Sequence, residues 1–536
     1  MKNTSPPTRP QSAVHAFVSV LGAFVLWSLL IGSIPLCSAG KTLNETSLFA
    51  VVRVEQESGV WWFRSLAGKR FLSIGMNHVE PVYWQSPNNQ QFVRDTYGPD
   101  LFLSDGRFND GSEAARKWAG RAAANLKAWG FNTLGMHNPP LESLRSAGDA
   151  NYVVELGLHV PWGWNMKRSE LIKAFQRRPL DVFADAFVAE VQTNAAHCVK
   201  PVASDPRVLG YAYTDGPPWT VDDDVQDALA SVHPWVLALM SLPAEAKGKQ
   251  AWLALMKERY ASAATAGTAY GRITPTWDDL ATTTSWTAVS DKTAAAADSE
   301  AFLEKLMRRY YEVCRSAIHQ HDPNHLILGD KLNANRDSRH REAMKHTLRV
   351  LKDYVDVIFI QYYAPAEQQR DTLEAIYQAT QKPILIGDTA CRPLWKDHEL
   401  TDADYYDELG RVYAEDILKL FALPYLIGWH HCGYMRGLRP PYVAALKRGD
   451  RQTIEHHRTT KTTLREGFIT ELEAPIEPIL KPLSLAISKC ETLHKASASP
   501  RPGITETRFA SRLFCLPRSP CSTQPSLGNP TSCSSS

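Results

Sequence analysis

Two carboxylates stand at the ends of strongly apolar stretches, where a buried strand must stop. Asp215 follows the stretch from Val208 to Tyr213 and precedes a Gly-Pro-Pro sequence, which cannot continue a strand ladder. Asp388 ends the stretch Pro-Ile-Leu-Ile-Gly-Asp in the same way. A carboxyl group at the C-terminal end of a strand can act as an acid, a base or a nucleophile, but an aspartate there also initiates turns and caps helices. The other strand ends therefore decide between the two interpretations.

Polar side chains follow the other apolar stretches at equivalent positions. We predict that they bind the substrate, and they are Asn77, His78, Glu80, His137, Asn138, Trp162, Trp164, Trp219, Asp330, Gln361, Tyr363, Trp429 and His430. Amides and imidazoles hydrogen-bond hydroxyl groups, indole faces stack on pyranose rings, and two carboxylates can cleave a glycosidic bond. This combination indicates a carbohydrate cleft, although each indole would suit a core equally well, and a single histidine more often makes a structural hydrogen bond.

Neither a metal nor a cofactor is expected. His430 and His431 are adjacent, and neighbouring side chains of a strand point to opposite faces, which disfavours a shared metal ion. The chain has no zinc-type cysteine spacing, no GxSxG elbow and no HExxH motif. These absences from the sequence argue against an esterase or a peptidase.

Eight apolar stretches alternate with amphipathic helical patterns, which predicts an α/β protein with parallel strands. The predicted strands are 71–77, 132–138, 152–162, 208–215, 325–332, 355–363, 383–388 and 424–431. Eight strands close a (β/α)8 TIM barrel, whereas an open doubly wound sheet usually carries a Gly-rich phosphate loop after its first strand, and none is present here. We expect one barrel domain over 48–495, begun by a short hairpin and carrying a helical insertion after strand 4, at about 222–300.

The two termini differ in composition from this central part. Residues 1–39 combine Lys2 and Arg9 with an apolar run and small residues, which resembles a signal peptide, or a membrane anchor if the segment is not cleaved. Residues 496–536 are rich in Ser, Pro, Thr and Cys and are predicted to be disordered. We therefore expect a secreted or periplasmic protein that is membrane-anchored only if the N-terminal segment is retained.

Charge and size limit the classes of partner. The 59 basic and 57 acidic residues give a net charge of +2, which does not predict nucleic-acid binding. A hydrophobic content of 44% over 536 residues is ample for a large core. The nine cysteines are widely spaced, and their pairing cannot be read from the sequence. The expected partner is a polysaccharide or oligosaccharide.

Several motifs together resemble the clan of barrel-type retaining glycoside hydrolases, and within it the agarase-like and beta-galactanase-like enzymes of bacteria. The motifs are LGYAYTDGPPW, RRYYEVCRSAIHQHDPNHLILGDKL, DVIFIQYY, KPILIGD and IGWHHCGY, and the resemblance covers roughly residues 59–463. It implies a glutamate acid/base at the end of strand four and a glutamate nucleophile at the end of strand seven. In this sequence Asp215 and Asp388 stand at those positions.

Both positions therefore depart from the clan. An aspartate is one methylene shorter, so two replacements on a fixed backbone would widen the carboxyl separation by roughly 2 to 3 Å, towards the spacing of inverting enzymes. A retaining enzyme, an inverting enzyme and a sugar-binding protein without catalysis all remain open. We predict a glycosidase acting on a β-linked, galactan-like (agarose-like) polysaccharide, with Asp215 as acid/base and Asp388 as nucleophile or base. Asp215 would need a raised pKa for this role. The alternative is a non-catalytic carbohydrate-binding barrel.

Overall fold

The computed structural model describes residues 52–81, 89–161, 167–222, 224–225, 227–335, 338–390, 402–438, 445–446, 448–459, 464–465 and 467–498. The N-terminal segment 1–39, the predicted ligand residues Trp162 and Trp164, and the tail beyond residue 498 lie outside the described residues. The central part of the chain, in which the other candidate site residues lie, is described.

The strands begin and end as follows. They are β1 (Arg53–Glu57), β2 (Val60–Arg64), β3 (Arg70–Phe71), β4 (Ser73–Asn77), β5 (Thr133–Leu134), β6 (Asn151–Glu155), β7 (Val208–Ala212), β8 (Ile327–Gly329), β9 (Leu332–Asn333), β10 (Ile358–Gln361), β11 (Ile384–Thr389), β12 (Leu426–Cys432), β13 (Gly437–Leu438) and β14 (Leu464–Arg465). Within the described residues, β4 to β12 form a nine-stranded sheet in the order β8-β7-β6-β5-β4-β12-β11-β10-β9. Every neighbouring pair in it is parallel, which confirms the predicted α/β class.

The two outermost strands of this sheet are almost continuous along the chain. β8 pairs with β7, and β9 pairs with β10, yet only Asp330 and Lys331 separate β8 from β9. Gly329, the last residue of β8, has a φ of +73°, a left-handed conformation that favours glycine. The stretch predicted as one strand at 325–332 is therefore observed as two short strands with a break between them.

Helices connect most of the parallel strands, as the amphipathic patterns predict. They are α1 (Gln90–Tyr97), α2 (Glu113–Ala128), α3 (Glu142–Ser146), α4 (Arg168–Arg177), α5 (Asp185–Cys198), α6 (Pro234–Met240), α7 (Lys247–Arg259), α8 (Ala263–Ala269), α9 (Trp277–Thr282), α10 (Lys292–His321), α11 (Ser338–Leu351), α12 (Ala366–Thr380), α13 (Asp402–Phe421), α14 (Arg451–Thr459) and α15 (Glu477–Ala496). Helices α6 to α9 lie between β7 and the long helix α10. Among the described residues, no helix is both long and apolar enough to cross a bilayer.

Two apolar cores hold the sheet. The inner core includes Val153, Leu328 and Phe359, which lie on three different strands, while a larger outer core lies between the sheet and the helices. The antiparallel hairpin of β1 and β2 contributes Phe63 to the inner core, and the Trp61 N–H donates to the carbonyl of Pro424, which lies two residues before β12. The hairpin thus lies at the N-terminal end of the sheet and leaves the C-terminal end to polar residues.

Candidate active site

Six polar side chains, each in a different strand or in the segment that follows it, meet at the C-terminal end of the central sheet. We call them the polar cluster, and they are Asn77, His137, Glu155, Asp215, Lys331 and Asp388. Parallel strands bring their C-terminal ends to one edge of a sheet, and for this reason residues far apart in the sequence become neighbours here. Four of the six were predicted from the sequence; Glu155 and Lys331 were not.

Lys331 lies at the centre of the polar cluster, and its side chain has no solvent exposure. Its Nζ atom donates to Asp388 Oδ2 at 2.8 Å and forms an ion pair with Asp215 Oδ1 at 2.7 Å. The third contact of Nζ is with His137 Nε2, at 2.7 Å. An ammonium group has three donors and no acceptor, so His137 accepts at Nε2 and carries its proton on Nδ1 if it is neutral. One buried cation thus holds three strand ends together.

The two aspartates lie close together because they share this cation. Asp215 Oδ1 and Asp388 Oδ2 are each within 2.8 Å of the same nitrogen, so they are separated by at most twice that distance. Retaining glycosidases separate their two carboxyl groups by about 5 to 5.5 Å, and inverting enzymes by about 6.5 to 9.5 Å. The widening expected from the shorter aspartate side chains is therefore not found between these oxygens, and Lys331 Nζ occupies the gap.

The electrostatic surroundings keep both aspartates ionised. Burial alone would raise the pKa of Asp388, but Lys331 and then His137 outweigh burial and hold this pKa far below its usual range. The pKa of Asp215 is also lowered, because Lys331 and His137 again outweigh the effect of burial. The same carboxylates raise the pKa of Lys331 in spite of its burial. The proton-donor role expected for Asp215 requires a raised pKa, and the structure gives this group the opposite shift.

Asn77 orients the second oxygen of Asp388. Its Nδ2 atom donates to Asp388 Oδ1 at 3.0 Å and to the Gly387 carbonyl at 2.9 Å. A Cβ atom at Gly387 would lie 1.7 Å from the ring of Phe359, so only glycine allows β11 to pass this close to the inner core. Both oxygens of Asp388 therefore have a fixed partner, and the carboxylate is positioned before any ligand binds.

A pair of stacked imidazoles covers one side of the cluster. The rings of His78 and His137 lie 5.2 Å apart at an angle of 15°, and His78 Nδ1 lies 3.3 Å from Glu80 Oε1. His78 and His137 both have positive φ angles, 52° and 67°, which residues other than glycine rarely adopt. Such strained residues concentrate at functional sites. The predicted residues His78 and Glu80 thus lie beside the polar cluster.

Glu155 is the residue of the cluster nearest to solvent, with 34% of its side chain exposed. It ends β6 two residues after Val153, which belongs to the inner core, and residues two apart in a strand share a face. Its Oε2 atom lies 3.9 Å from His137 Nδ1. The alternation of side chains along the strand places Glu155 on the same face as Val153. The apolar residues that continue to Trp162, however, predict a strand that ends later than β6 does.

Lys331, and not its neighbour Asp330, points towards the inner side of the sheet. Leu326 and Leu328 belong to the inner core, and strict alternation would turn Asp330 inward as well. The left-handed conformation of Gly329 interrupts that alternation. Asp330 is instead fully buried on the outer side, where Tyr310 Oη donates to its Oδ1 at 3.0 Å. Burial raises the pKa of Asp330 to about 8 against the hydrogen bonds of Tyr310 and Tyr311.

Several other predicted residues make structural contacts rather than facing the cluster. Asn138 donates to the Met76 and Gly135 carbonyls and accepts from the Val79 N–H. Trp429 belongs to the outer core, where its ring meets Tyr413. Their side chains hold neighbouring segments together at the end of the sheet.

Trp219 faces a different part of the molecule. Its Nε1 donates to Tyr311 Oη at 2.8 Å, and its ring stacks on Trp235 with centroids 4.9 Å apart. It lines a separate cavity of about 460 Å³, together with Arg168 on α4 and Glu300 on α10. The polar cluster contributes no residue to this cavity.

The remaining predicted residues that the structure describes lie in or just after β10 and β12. His430 is fully buried, and its Nε2 contacts Ser73 Oγ at 2.8 Å, while His431 turns to the other face and contacts Tyr413 Oη at 2.7 Å. Gln361 is buried at the end of β10 and pairs with Asp388 in the ladder. Tyr363, two residues further on, is half-buried.

Three solved structures are similar to the chain in fold. An agarase, AgWH50C, is 14% identical with a TM-score of 0.59, over 84% of this chain and 66% of that one. PfGH50B is 14% identical with a TM-score of 0.60, over 83% and 67% of the two chains. An exo-beta-agarase is 15% identical with a TM-score of 0.58, over 83% and 65%. This chain thus spans about two thirds of the length of each.

Sequence comparison adds nothing to this likeness, since the chain matches neither a protein-family profile nor a curated protein. At 14 to 15% identity, similarity between structures is evidence of a shared fold only. The resemblance to barrel-type, agarase-like glycoside hydrolases is confirmed at that level, and the chain is similar in fold to these three solved structures.

Proposed function

We propose that the protein is a glycoside hydrolase that cleaves a β-linked, galactan-like polysaccharide at the polar cluster. The observation that carries the proposal is a pair of ionised carboxylates, Asp215 and Asp388, held at the C-terminal end of a parallel sheet. Enzymes with parallel barrels carry their chemistry at this end. The fold shared with AgWH50C and with an exo-beta-agarase supports the choice of a galactan as substrate.

The proposal includes a closed barrel. We interpret β8 and β9 as the two halves of one strand, because only two residues separate them and each half pairs with a different neighbour. On this interpretation the parallel sheet has eight strand positions and closes on itself, the domain runs from 48 to 495, and α6 to α9 form the insertion after the fourth position.

The chemistry assigns a role to each contact. Asp388 acts as nucleophile or base, since Lys331 and His137 lower its pKa and keep its carboxylate ionised at neutral pH. Asn77 fixes the orientation of that carboxylate, and His137 and Lys331 hold it in place beside Asp215. His78, Glu80, Gln361, Tyr363 and the two indoles Trp162 and Trp164 remain the proposed ligands of the sugar hydroxyls and rings.

Release of reducing ends from polysaccharides tests this function. Agarose and other β-linked galactans are incubated with the full-length protein beside β-linked glucans as the matched control. We expect new reducing ends from a galactan and few from a glucan. Release from glucans alone would contradict the proposed substrate class, and release from none of them would contradict hydrolysis.

The alternative function is a non-catalytic carbohydrate-binding barrel. One observation favours it, since Lys331 Nζ occupies the space between the two carboxylates where a retaining enzyme would place the reacting atoms. This alternative predicts that the wild-type protein binds galactan oligosaccharides in calorimetry while releasing no reducing ends.

The proposed location follows from the substrate. An external polysaccharide is too large to cross a membrane intact, and the apolar N-terminal segment with its small residues near Ala39 is suited to export. We propose a secreted or periplasmic protein. N-terminal sequencing of the mature chain, with cleavage expected after Ala39, tests the proposal, and a retained Met1 in the exported protein would contradict cleavage.

A further inference from the structure

Hydrolysis of a glycosidic bond needs a group that holds a proton as well as one that is ionised. Lys331 lies against both aspartates, and His137 lies 3.6 Å from Asp215, so neither aspartate has surroundings that favour its protonated form. The hydrolase proposed above therefore requires a proton donor other than Asp215. Asp330, although close in sequence, is fully buried on the outer side of the strand.

Glu155 has the position that such a donor needs. It follows the inner-core residue Val153 by two positions, lies on the inner face of the sheet and is partly exposed, whereas Lys331 has no exposure. Its carboxylate and that of Asp388 lie at opposite nitrogens of His137, at 3.9 Å from Nδ1 and 4.0 Å from Nε2. The two carboxyl groups therefore lie on either side of one imidazole at the C-terminal end of the sheet.

Burial of Glu155 favours its protonated form, and the neighbouring charges act in both directions. Burial raises its pKa, and the charge of Asp215 adds to the increase. His137, Lys331 and His78 act in the opposite direction without cancelling it. On the helix side, the thiol of Cys198 at the end of α5 also faces Glu155. Of the three carboxyl groups in the polar cluster, Glu155 alone has a raised pKa.

We propose that Glu155 is the proton donor of the proposed hydrolysis, and that Asp215 is a positioning residue that holds Lys331 and His137. In the bond-breaking step the glycosidic C–O bond breaks and its electron pair passes to the leaving oxygen, which takes the proton of Glu155. The anomeric carbon receives an electron pair from the Asp388 carboxylate, or from a water molecule whose proton passes to Asp388. On the first route a water molecule then attacks the anomeric carbon and gives its proton to Glu155, and the bond to Asp388 breaks, which releases the carboxylate. On the second route Asp388 gives its proton to solvent, and Glu155 regains one from solvent.

Leaving-group dependence separates a proton donor from a positioning residue. A 2,4-dinitrophenolate leaves without protonation, whereas a sugar hydroxyl does not. The variants E155Q and D215N are assayed on 2,4-dinitrophenyl glycosides of β-linked galacto-oligosaccharides and on the unmodified oligosaccharides. For E155Q we expect kcat/KM on the oligosaccharides to fall by about 10² to 10⁴-fold, with a loss on the dinitrophenyl substrates below about tenfold. For D215N we expect comparable losses on both substrates.

The pH profile provides a second readout. A proton donor must stay protonated, so the wild-type rate on oligosaccharides falls as the pH rises through the pKa of Glu155, and E155Q loses this alkaline limb. The matched control is E190Q, because Glu190 on α5 forms an ion pair with Arg178 at 2.9 Å outside the cluster. Its activity should equal that of the wild type, and urea unfolding checks that each variant is folded.

The outcomes separate this inference from the proposed function. Equal losses on both substrates for E155Q, or a loss confined to the oligosaccharides for D215N, would overturn the assignment of Glu155 while leaving a hydrolase. A wild-type protein that cleaves neither substrate class would overturn the proposed function, and with it the inference that rests on it.

Discussion

Lys331 Nζ lies 2.8 Å from Asp388 Oδ2, and both side chains are almost completely removed from solvent. A buried ion pair gains strength from the low dielectric around it but requires that every charge find a partner. Here one cation faces two carboxylates, so the loss of the cation leaves two buried negative charges. The arrangement makes Lys331 the residue on which the rest of the cluster depends.

Replacing Lys331 by methionine should lower the free energy of unfolding at pH 7 by about 3 to 5 kcal/mol, the usual effect of breaking a buried pair. Asp388 has a depressed pKa in the folded protein, so its contribution to stability is present above the unfolded-state pKa and is lost as the pH falls. The difference between wild type and K331M should therefore shrink in acid. Urea unfolding at several pH values measures it.

The control for this variant is Lys249→Met. Lys249 is also fully buried, but it donates to the carbonyls of Met240 and Thr283 and not to a carboxylate. K249M should lose less stability than K331M, because no buried anion is left behind. Equal losses in the two variants, with the same pH dependence, would contradict the role of the two aspartates.

Asp330 should make the protein more sensitive to alkaline conditions. Burial raises the pKa of Asp330 in the folded protein to about 8. Its contribution to stability is therefore fully present below the unfolded-state pKa and is lost as the pH rises from there to about 8. The amide of D330N can still accept from Tyr310 and carries no charge. We expect the stability of D330N relative to wild type to increase by up to about 1.4 kcal/mol for each pH unit between about 4 and 8. A constant difference over that interval would show that Asp330 does not titrate there.

Gly135 should tolerate no side chain, because it lies against the groups that orient Asp388. A Cβ atom there would approach Asn77 Oδ1 to 2.0 Å and His430 Nδ1 to 2.8 Å. Gly135→Ala should therefore destabilise the fold by about 1 to 3 kcal/mol and lower kcat by displacing Asn77 from Asp388. Thermal unfolding and galactan hydrolysis measure the two effects.

Gly120 provides the matched control. It lies on the exposed side of α2, and a Cβ atom there would meet nothing within 4 Å. Gly120→Ala should stabilise the helix by roughly 0.5 to 1 kcal/mol and leave kcat unchanged. If G135A behaved like G120A in both measurements, the close packing around Asn77 would have no functional importance.

Much of the architecture could be predicted because each central strand carries a clear apolar signal. All eight predicted stretches overlap an observed strand, and the sheet they form is parallel. Asp215 and Asp388 came together as expected, since parallel strands end at the same edge. The apolar pattern of residues 325–332 does not predict that side-chain alternation is interrupted at Gly329. This interruption turns Lys331 inward and Asp330 outward.

The limits of the sequence prediction have physical causes. The sequence predicts a strand over 152–162, whereas β6 ends at Glu155, because Leu156 and Leu158 continue the apolar run but are buried outside the strand. The pKa direction of Asp215 depends on Lys331, whose position the sequence did not predict. A shift in side-chain alternation by one residue therefore decides which groups meet at the site.

The most direct test of catalysis at the polar cluster is kcat of the Asp388→Asn variant on the galactan that the wild type cleaves. The neutral amide that replaces the ionised carboxylate in D388N can neither attack nor accept a proton, so we expect kcat to fall by at least about 1,000-fold. The dissociation constant for a galactan oligosaccharide, measured by calorimetry on the folded variant, should stay within a few-fold of the wild-type value. An unchanged kcat would contradict the proposed role of Asp388 and place the reaction elsewhere in the molecule.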